Sequence, residues 1–226
     1  MKIKFTLILY ILGMCFSTIN LAQIVNYEEG DKWEFKKDAK GIKIYTRDAP
    51  NNGKGLKELK FTMEIESTLK SIAAILLDVS NYKNWVFKCS DSKKVEKTQE
   101  LSSYDYYVAD FPWPLNDRDL YSYSTMVQDP LTKVIIAQTE SIPKLRPELE
   151  DYVRVIKHNN QWILKPVSAN KVEVTYYLSS DPAGNIPSWM VNLVIDQGPV
   201  KSMKNFVKLL DLDKYKNADI KSIQNY

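Results

Sequence analysis

Asp181-Pro182-Ala183-Gly184-Asn185-Ile186-Pro187-Ser188-Trp189-Met190 is the stretch on which the fold turns, because two kinds of sequence meet there. Asp-Pro-Ala-Gly is turn chemistry: proline presets φ and glycine tolerates positive φ. Pro187 suits the first turn of a helix, where its missing N–H has no partner to lose. Beyond it, Met190, Leu193 and Val194, then Met203, Phe206, Val207 and Leu210, recur at helical spacing with one apolar face. Gln197-Gly198-Pro199 interrupts that face, since a proline inside a helix removes one backbone bond and crowds the preceding turn. The segment therefore reads either as two core helices joined by a turn or as one kinked helix. What precedes it reads as a sheet for this segment to cover.

Working backwards, Lys93–Thr98, Tyr104–Phe111, Leu120–Val127, Lys133–Thr139, Asp151–Lys157, Trp162–Val167 and Lys171–Leu178 have strand composition and alternation. Short turns such as Gln128-Asp129-Pro130 and His158-Asn159-Asn160 separate several of them, which makes the run an antiparallel meander. Earlier still, Gly41–Thr46 and Leu56–Ile65 read as two strands around the turn-like Ala49–Gly55, and Tyr27–Lys37 as a short helix. Leu69, Ile72, Ala73, Leu76 and Val79 fall on one helical face behind a cap at Ser67 or Thr68. Strands gathered around two helices, with no βαβ alternation, give an α+β fold: a curved antiparallel sheet of about nine strands covered by a long C-terminal helix. A helix on a curved sheet leaves a concave space, to be filled by side chains or by a ligand.

Residues 1–22 read as a secretory signal: Lys2 and Lys4 form a basic start, Phe5–Ile19 is apolar, and Ala22 offers a small residue at the cleavage point. The expected division is a signal over 1–22 and a single domain over 23–226, exported to a periplasm or secreted. Removing Lys2 and Lys4 from the 31 basic residues leaves 29 against 28 acidic ones, interspersed along the chain. A nucleic-acid binder would cluster its basic residues in a stripe. Of the two cysteines only Cys89 survives cleavage, so stability rests on the core and not on an internal disulfide.

Catalytic patterns are sparse. The one histidine, His158, falls in what reads as a hairpin turn, where it cannot anchor a triad in a water-excluded site. One histidine and one mature cysteine cannot supply the usual nitrogen and sulfur metal ligands, and no glycine-rich phosphate cradle is present. Neither a cofactor nor a metal is expected. On the strand after Asp117, one face carries Arg118, Leu120, Ser122, Ser124 and Met126. An inward Arg118 would need a partner, since a bare buried charge costs several kcal/mol.

Four blocks of the chain resemble the START domain, the lipid-binding family related to steroidogenic acute regulatory protein. They are Trp33 with Lys37, Gly41, Ile42 and Tyr45; Leu77-Asp78 through Trp85; Phe111-Pro112-Trp113-Pro114 through Arg118-Asp119-Leu120-Tyr121; and Asp181 through Trp189. The last two combine rare residues at fixed spacing. The resemblance implies a helix-grip fold with the terminal helix across a hydrophobic tunnel, and non-enzymatic binding, transfer or sequestration of a hydrophobic ligand, most of all a lipid with a small polar or anionic head. In members that carry phosphatidylcholine, the arginine of the Arg-Asp pair meets the lipid phosphate, which by position implies that role for Arg118; the alternative is that Arg118 pairs with Asp119 or another acid. Many members carry a second arginine six residues on, where this chain has Ser124, a departure that speaks against phosphatidylcholine. The expected ligand-binding residues are Arg118, Ser122, Ser124 and Met126 from one strand face, with Trp113, Trp189 and Leu193 near the mouth. Glu140–Pro147 matches the family's loop over the tunnel, and opening is expected to involve it and the terminal helix. A lipid or other hydrophobic small molecule is the expected partner, with transient membrane contact, no nucleic acid and a monomeric state. The alternative within the wider superfamily is a polyketide cyclase or aromatase using Arg118, Asp110 and cavity tyrosines.

Overall fold

The structure, a computed structural model, describes residues 27, 32–49, 56–184 and 186–226. The expected signal and most of the Ala49–Gly55 turn lie outside those residues. Ten strands form one sheet: β1 (Glu34–Ala39), β2 (Ile42–Asp48), β3 (Lys57–Ile65), β4 (Cys89–Gln99), β5 (Ser102–Ala109), β6 (Asp117–Gln128), β7 (Ile135–Ser141), β8 (Tyr152–Arg154), β9 (Lys157–Ser168) and β10 (Lys171–Asp181). Their order is β1-β2-β3-β10-β9-β7-β6-β5-β4, antiparallel throughout, with β8 lying parallel to the start of β6. The sheet is curved and unclosed.

The helices cover its concave side. α1 (Leu69–Leu77) starts at Thr68, whose hydroxyl accepts from the Ser71 amide at 3.2 Å and satisfies one of the free N–H groups of the first turn. Its apolar face, Leu69, Ile72, Ala73 and Leu76, is buried as the periodicity requires. A 3-10 turn over Val79–Asn84 then delivers Trp85 into the core. α2 (Ser188–Leu209) is one continuous helix that contains Pro199, and a short α3 (Asp213–Lys216) follows it.

Three sequence expectations are corrected. Glu34–Lys37 is strand and not helix: Tyr45 and Thr46 pair with it, and tertiary pairing overrides a weak local helical pattern. His158-Asn159-Asn160 is not a turn but part of β9, paired with β10 throughout and with β7 at Asn159 and Asn160. The Asp151–Lys157 strand is reduced to Tyr152–Arg154. On α2, Met203, Phe206 and Leu210 are buried, while Val207 turns outward.

Phe206 meets Trp85 edge-on at 5.0 Å and stacks on Trp162 at 6.1 Å, and Trp162 leans on Tyr176 at 4.6 Å. Such offset ring packing adds to area burial and joins helix to sheet. Gly198 faces this interior; a Cβ there would meet Phe87 at 3.8 Å and Val194 at 3.9 Å, ordinary contact distances. Gly198→Ala is therefore expected to raise stability by about 0.5–1 kcal/mol through lost unfolded-state entropy, read in a denaturant titration. A fall in stability would mean that the glycine is needed for backbone freedom beside Pro199.

Candidate functional site

Between α2 and the sheet lies a cavity of about 370 Å³. α2 contributes Met190, Val194, Ile195, Pro199 and Met203 to its wall, so the helix is its roof. Strand registry decides what its floor looks like, because residues directly opposite on antiparallel neighbours share a face. One row across the sheet is apolar: Met126, Ala137, Trp162, Tyr176 and Phe61. The next row, two residues along each strand, is polar at Ser103, Ser124, Thr139 and Asn160 and apolar again at Leu178 and Leu59, and beyond it come Asp105, Ser122 and Ser141, behind the wall, with His158 opposite Ser180 in it. Two rows of hydroxyl, amide, imidazole and carboxylate groups thus lie beside an aromatic and aliphatic one. The cavity floor is amphipathic along the strands.

His158 is the centre of one half of this polar band. Its Nδ1 lies 3.2 Å from Ser180 Oγ and its Nε2 lies 3.1 Å from Asn160 Nδ2. An amide nitrogen can only donate, so Nε2 accepts, the ring proton sits on Nδ1, and Ser180 receives it. Burial pushes the imidazole pKa down to about 4. At neutral pH it is an uncharged wall group. His158 thus lies in the cavity wall and not in an exposed turn.

Asp105 is the centre of the other half. It is fully buried, and its Oδ1 accepts from Ser103 Oγ at 2.8 Å while its Oδ2 accepts from the Tyr107 hydroxyl at 3.4 Å. Burial raises its pKa, and the hydroxyls of Ser124 and Ser103 pull it back. Tyr107, beside it, is raised well above the ordinary phenol range by burial and then by the Tyr82 and Asp105 charges, so it keeps its proton. Ser122 Oγ is buried with no hydrogen-bond partner among the described residues. Ser124 Oγ bonds Thr139 Oγ1 at 3.1 Å.

Of the expected site residues, Arg118, Ser124 and Met126 are in the cavity wall. Ser122 lies on the same face, behind Ser124 and beside Asp105. Trp113 does not reach the cavity: it is 92 % exposed at the tip of the β5–β6 loop, because Pro112 and Pro114 turn the chain away before Arg118 enters β6. Leu193 is half-buried on α2 outside the wall. Trp189 is in the first turn of α2, and its side chain lies outside the described residues.

Arg118 borders the cavity but does not pair with Asp119. Its Nε donates to Pro182 O at 3.2 Å, Nη2 to Ala183 O at 3.4 Å and Nη1 to Asn116 O, and its guanidinium lies 4.2 Å over Phe111. The Asp181–Gly184 turn is therefore held by this arginine. Ala183 and Gly184 both adopt left-handed backbone, and a Cβ on Gly184 would stand 3.7 Å from Arg118 Nη2. Asp119 belongs instead to Arg154, through bonds of 2.8 Å from Nε and from Nη2.

Residues missed from sequence are Asp105, Tyr107, Thr139, His158, Asn160 and Ser180. No local pattern marks them, since they come from four strands and meet only through registry. Cys89 does line the cavity, but burial pushes its thiol up to about 11, which leaves little thiolate for chemistry. Among the described residues no group of three or more His, Cys, Asp or Glu could hold a metal ion.

The fold and its roofed, amphipathic cavity define a helix-grip protein. The START domain family matches residues 21–216, and the chain belongs to that family. It is 28 % identical over 185 residues to the phosphatidylcholine transfer protein of Rattus norvegicus, an alignment covering 79 % of this chain and 84 % of that one. A STAR-related lipid transfer protein from Xanthomonas axonopodis superposes with a TM-score of 0.72 at 28 % identity, covering 80 % of this chain and all of the other. Human STARD10 gives a TM-score of 0.70 at 21 % identity over 86 % of this chain and 84 % of that chain, a likeness of fold.

Proposed function

We propose that the protein binds a lipid in the cavity under α2 and carries or sequesters it without chemical change. The observation that supports this most directly is the floor of the cavity, where an apolar row built from five strands adjoins a two-row polar band. An amphiphile is the ligand with that polarity. Apolar burial at about 25 cal/mol per Å² would hold its tail against Trp162, Tyr176 and Phe61, and the band would hold its head. Its volume of about 370 Å³ sits low in the range of small-molecule sites, which favours a compact ligand with one chain or a fused-ring body. The lipid-transfer names of the matched relatives support the same class of function. The basic and apolar leader read in residues 1–22 supports action after export.

Native mass spectrometry of the protein purified from its own host tests this reading. A one-to-one adduct of lipid mass on a polypeptide beginning at Gln23 is the expected result. A chain that carries no adduct and extracts nothing from mixed-lipid vesicles would remove the carrier reading.

A further inference from the structure

The family resemblance directs attention to Arg118 and a phosphate, but the arrangement around Asp105 directs it elsewhere. Arg118 already spends three N–H groups on the carbonyls of Asn116, Pro182 and Ala183. Ser122, beside Asp105, lies four residues along β6 from it, or about 13 Å at 3.3 Å per residue. Around Asp105 the polarity is the reverse of an anion site. A carboxylate is an acceptor only, and it lies 0 % exposed with no lysine or arginine in an ion pair with it among the described residues. Ser103 and Tyr107 turn their hydroxyl protons toward it, and both of them line the cavity. Having donated inward, the Ser103 and Tyr107 oxygens are left with lone pairs, and the Ser124 and Ser122 hydroxyls lie close enough to Tyr107 to share its oxygen. The orphan hydroxyl oxygen of Ser122 lies on the same face.

We propose that this cluster, Asp105 with Ser103, Tyr107, Ser122 and Ser124, is a head-group subsite for an uncharged ligand rich in hydrogen-bond donors, an alcohol or amide head, and that it rejects phosphate and carboxylate heads. The proposal rests on the carrier reading and adds the chemistry of the head. A hydroxyl or N–H entering the band donates to Ser103 or Tyr107, whose own protons are fixed on Asp105. A phosphate oxygen there meets lone pairs and a buried negative charge, and the cation whose field reaches Asp105, Lys94, makes no ion pair with it and donates to Leu77 O at 3.2 Å. A site built to pair a donor also discriminates strongly against an analogue that lacks it, because its buried acceptors are then left unsatisfied.

The test uses three probes with one tail: 1-hexadecanol, its methyl ether and hexadecyl phosphate, each delivered from cyclodextrin to the full chain. Binding is followed by the intrinsic fluorescence of Trp85 and Trp162, which line the cavity. The alcohol is expected to bind at least about tenfold tighter than the ether and tighter still than the phosphate ester. Asp105→Asn, which can donate back toward Ser103 and Tyr107, should bring the alcohol-to-ether ratio close to one. Tyr107→Phe keeps the ring stacked on Tyr82 at 5.6 Å and should lower the same ratio, so the proposal stays exposed if the Asp105 variant fails to fold. Equal, tight binding of alcohol and ether overturns the subsite and leaves the carrier reading intact. Tightest binding of the phosphate ester also overturns it and returns head selection to Arg118. Binding of none of the three removes both readings together.

Discussion

Asp119→Ala is expected to cost about 3–5 kcal/mol of folding stability, the usual penalty for leaving one member of a buried ion pair without its partner. Both side chains are almost fully enclosed, Arg154 at 2 % and Asp119 at 1 % exposure. Arg154 commits all five of its donors: Nε and one Nη2 proton go to Asp119, and the rest go to the carbonyls of Pro143 at 2.7 Å, Arg146 at 3.0 Å and Pro147 at 3.0 Å. Tyr121 covers the guanidinium at 4.9 Å. Removing the carboxylate strands a cation that cannot shed its charge, while its remaining bonds still tie the loop 143–147 to the sheet. For a chain of this size the loss corresponds to a fall in Tm of roughly 10 °C. The double variant Asp119→Leu with Arg154→Met should recover much of it, because the stranded charge is gone and only the three loop carbonyls lose a partner. A single variant within about 1 kcal/mol of wild type, or a double variant as unstable as the single, would show that the pair is not the buried clasp described here.

That clasp also ties the segment 143–147 to the sheet. From sequence, Glu140–Pro147 reads as a loop over the tunnel with two prolines and exposed apolar residues. Arg154 is what the sequence could not reveal, since its three loop carbonyls are backbone atoms and carry no residue identity. The pinned segment is also absent from the cavity wall, and α2 supplies the roof. The nine strands expected from alternation are all present, because period-two patterning is a local signal that a half-buried sheet enforces on its own residues. The polar band was illegible for the same reason. His158-Asn159-Asn160 looks like a turn because polar residues in the middle of a strand have no purpose in a solid core, whereas in a strand that floors a cavity they are its lining. Arg118 shows the limit of reading by motif: its position is inherited from the family pattern, yet its partners are Pro182 O and Ala183 O in the turn 64 and 65 residues away. The Asp181–Gly184 turn is thus held by a residue of the cavity wall.

The protein is expected to lose about 2 kcal/mol of stability between pH 7.5 and pH 5 through His158 alone. Its folded pKa of about 4 lies below the ordinary histidine value of 6.5. In the unfolded chain the imidazole takes a proton as pH falls through 6.5, while the folded protein refuses it until pH nears 4. The unfolded state therefore binds more protons over that window, and stability present above pH 6.5 is lost progressively down to pH 4, at about 1.4 kcal/mol per unit. The physical reason is in the hydrogen bonds: a charged ring has two N–H donors, so Nε2 could no longer accept from Asn160 Nδ2, and a buried charge would gain no counter-ion. Asp105 acts in the opposite direction, because its raised pKa makes the folded state the better proton acceptor as pH drops. The measurement must isolate one from the other. His158→Gln removes the titration and leaves Asp105 in place, so the difference between wild type and variant, from urea midpoints at pH 7.5, 6, 5 and 4, should trace the histidine term: flat above pH 6.5, sloping between 6.5 and 4, flat below. Parallel curves across the whole range, together with an imidazole that titrates by NMR near 6.5, would place His158 in water and not in the wall of the cavity.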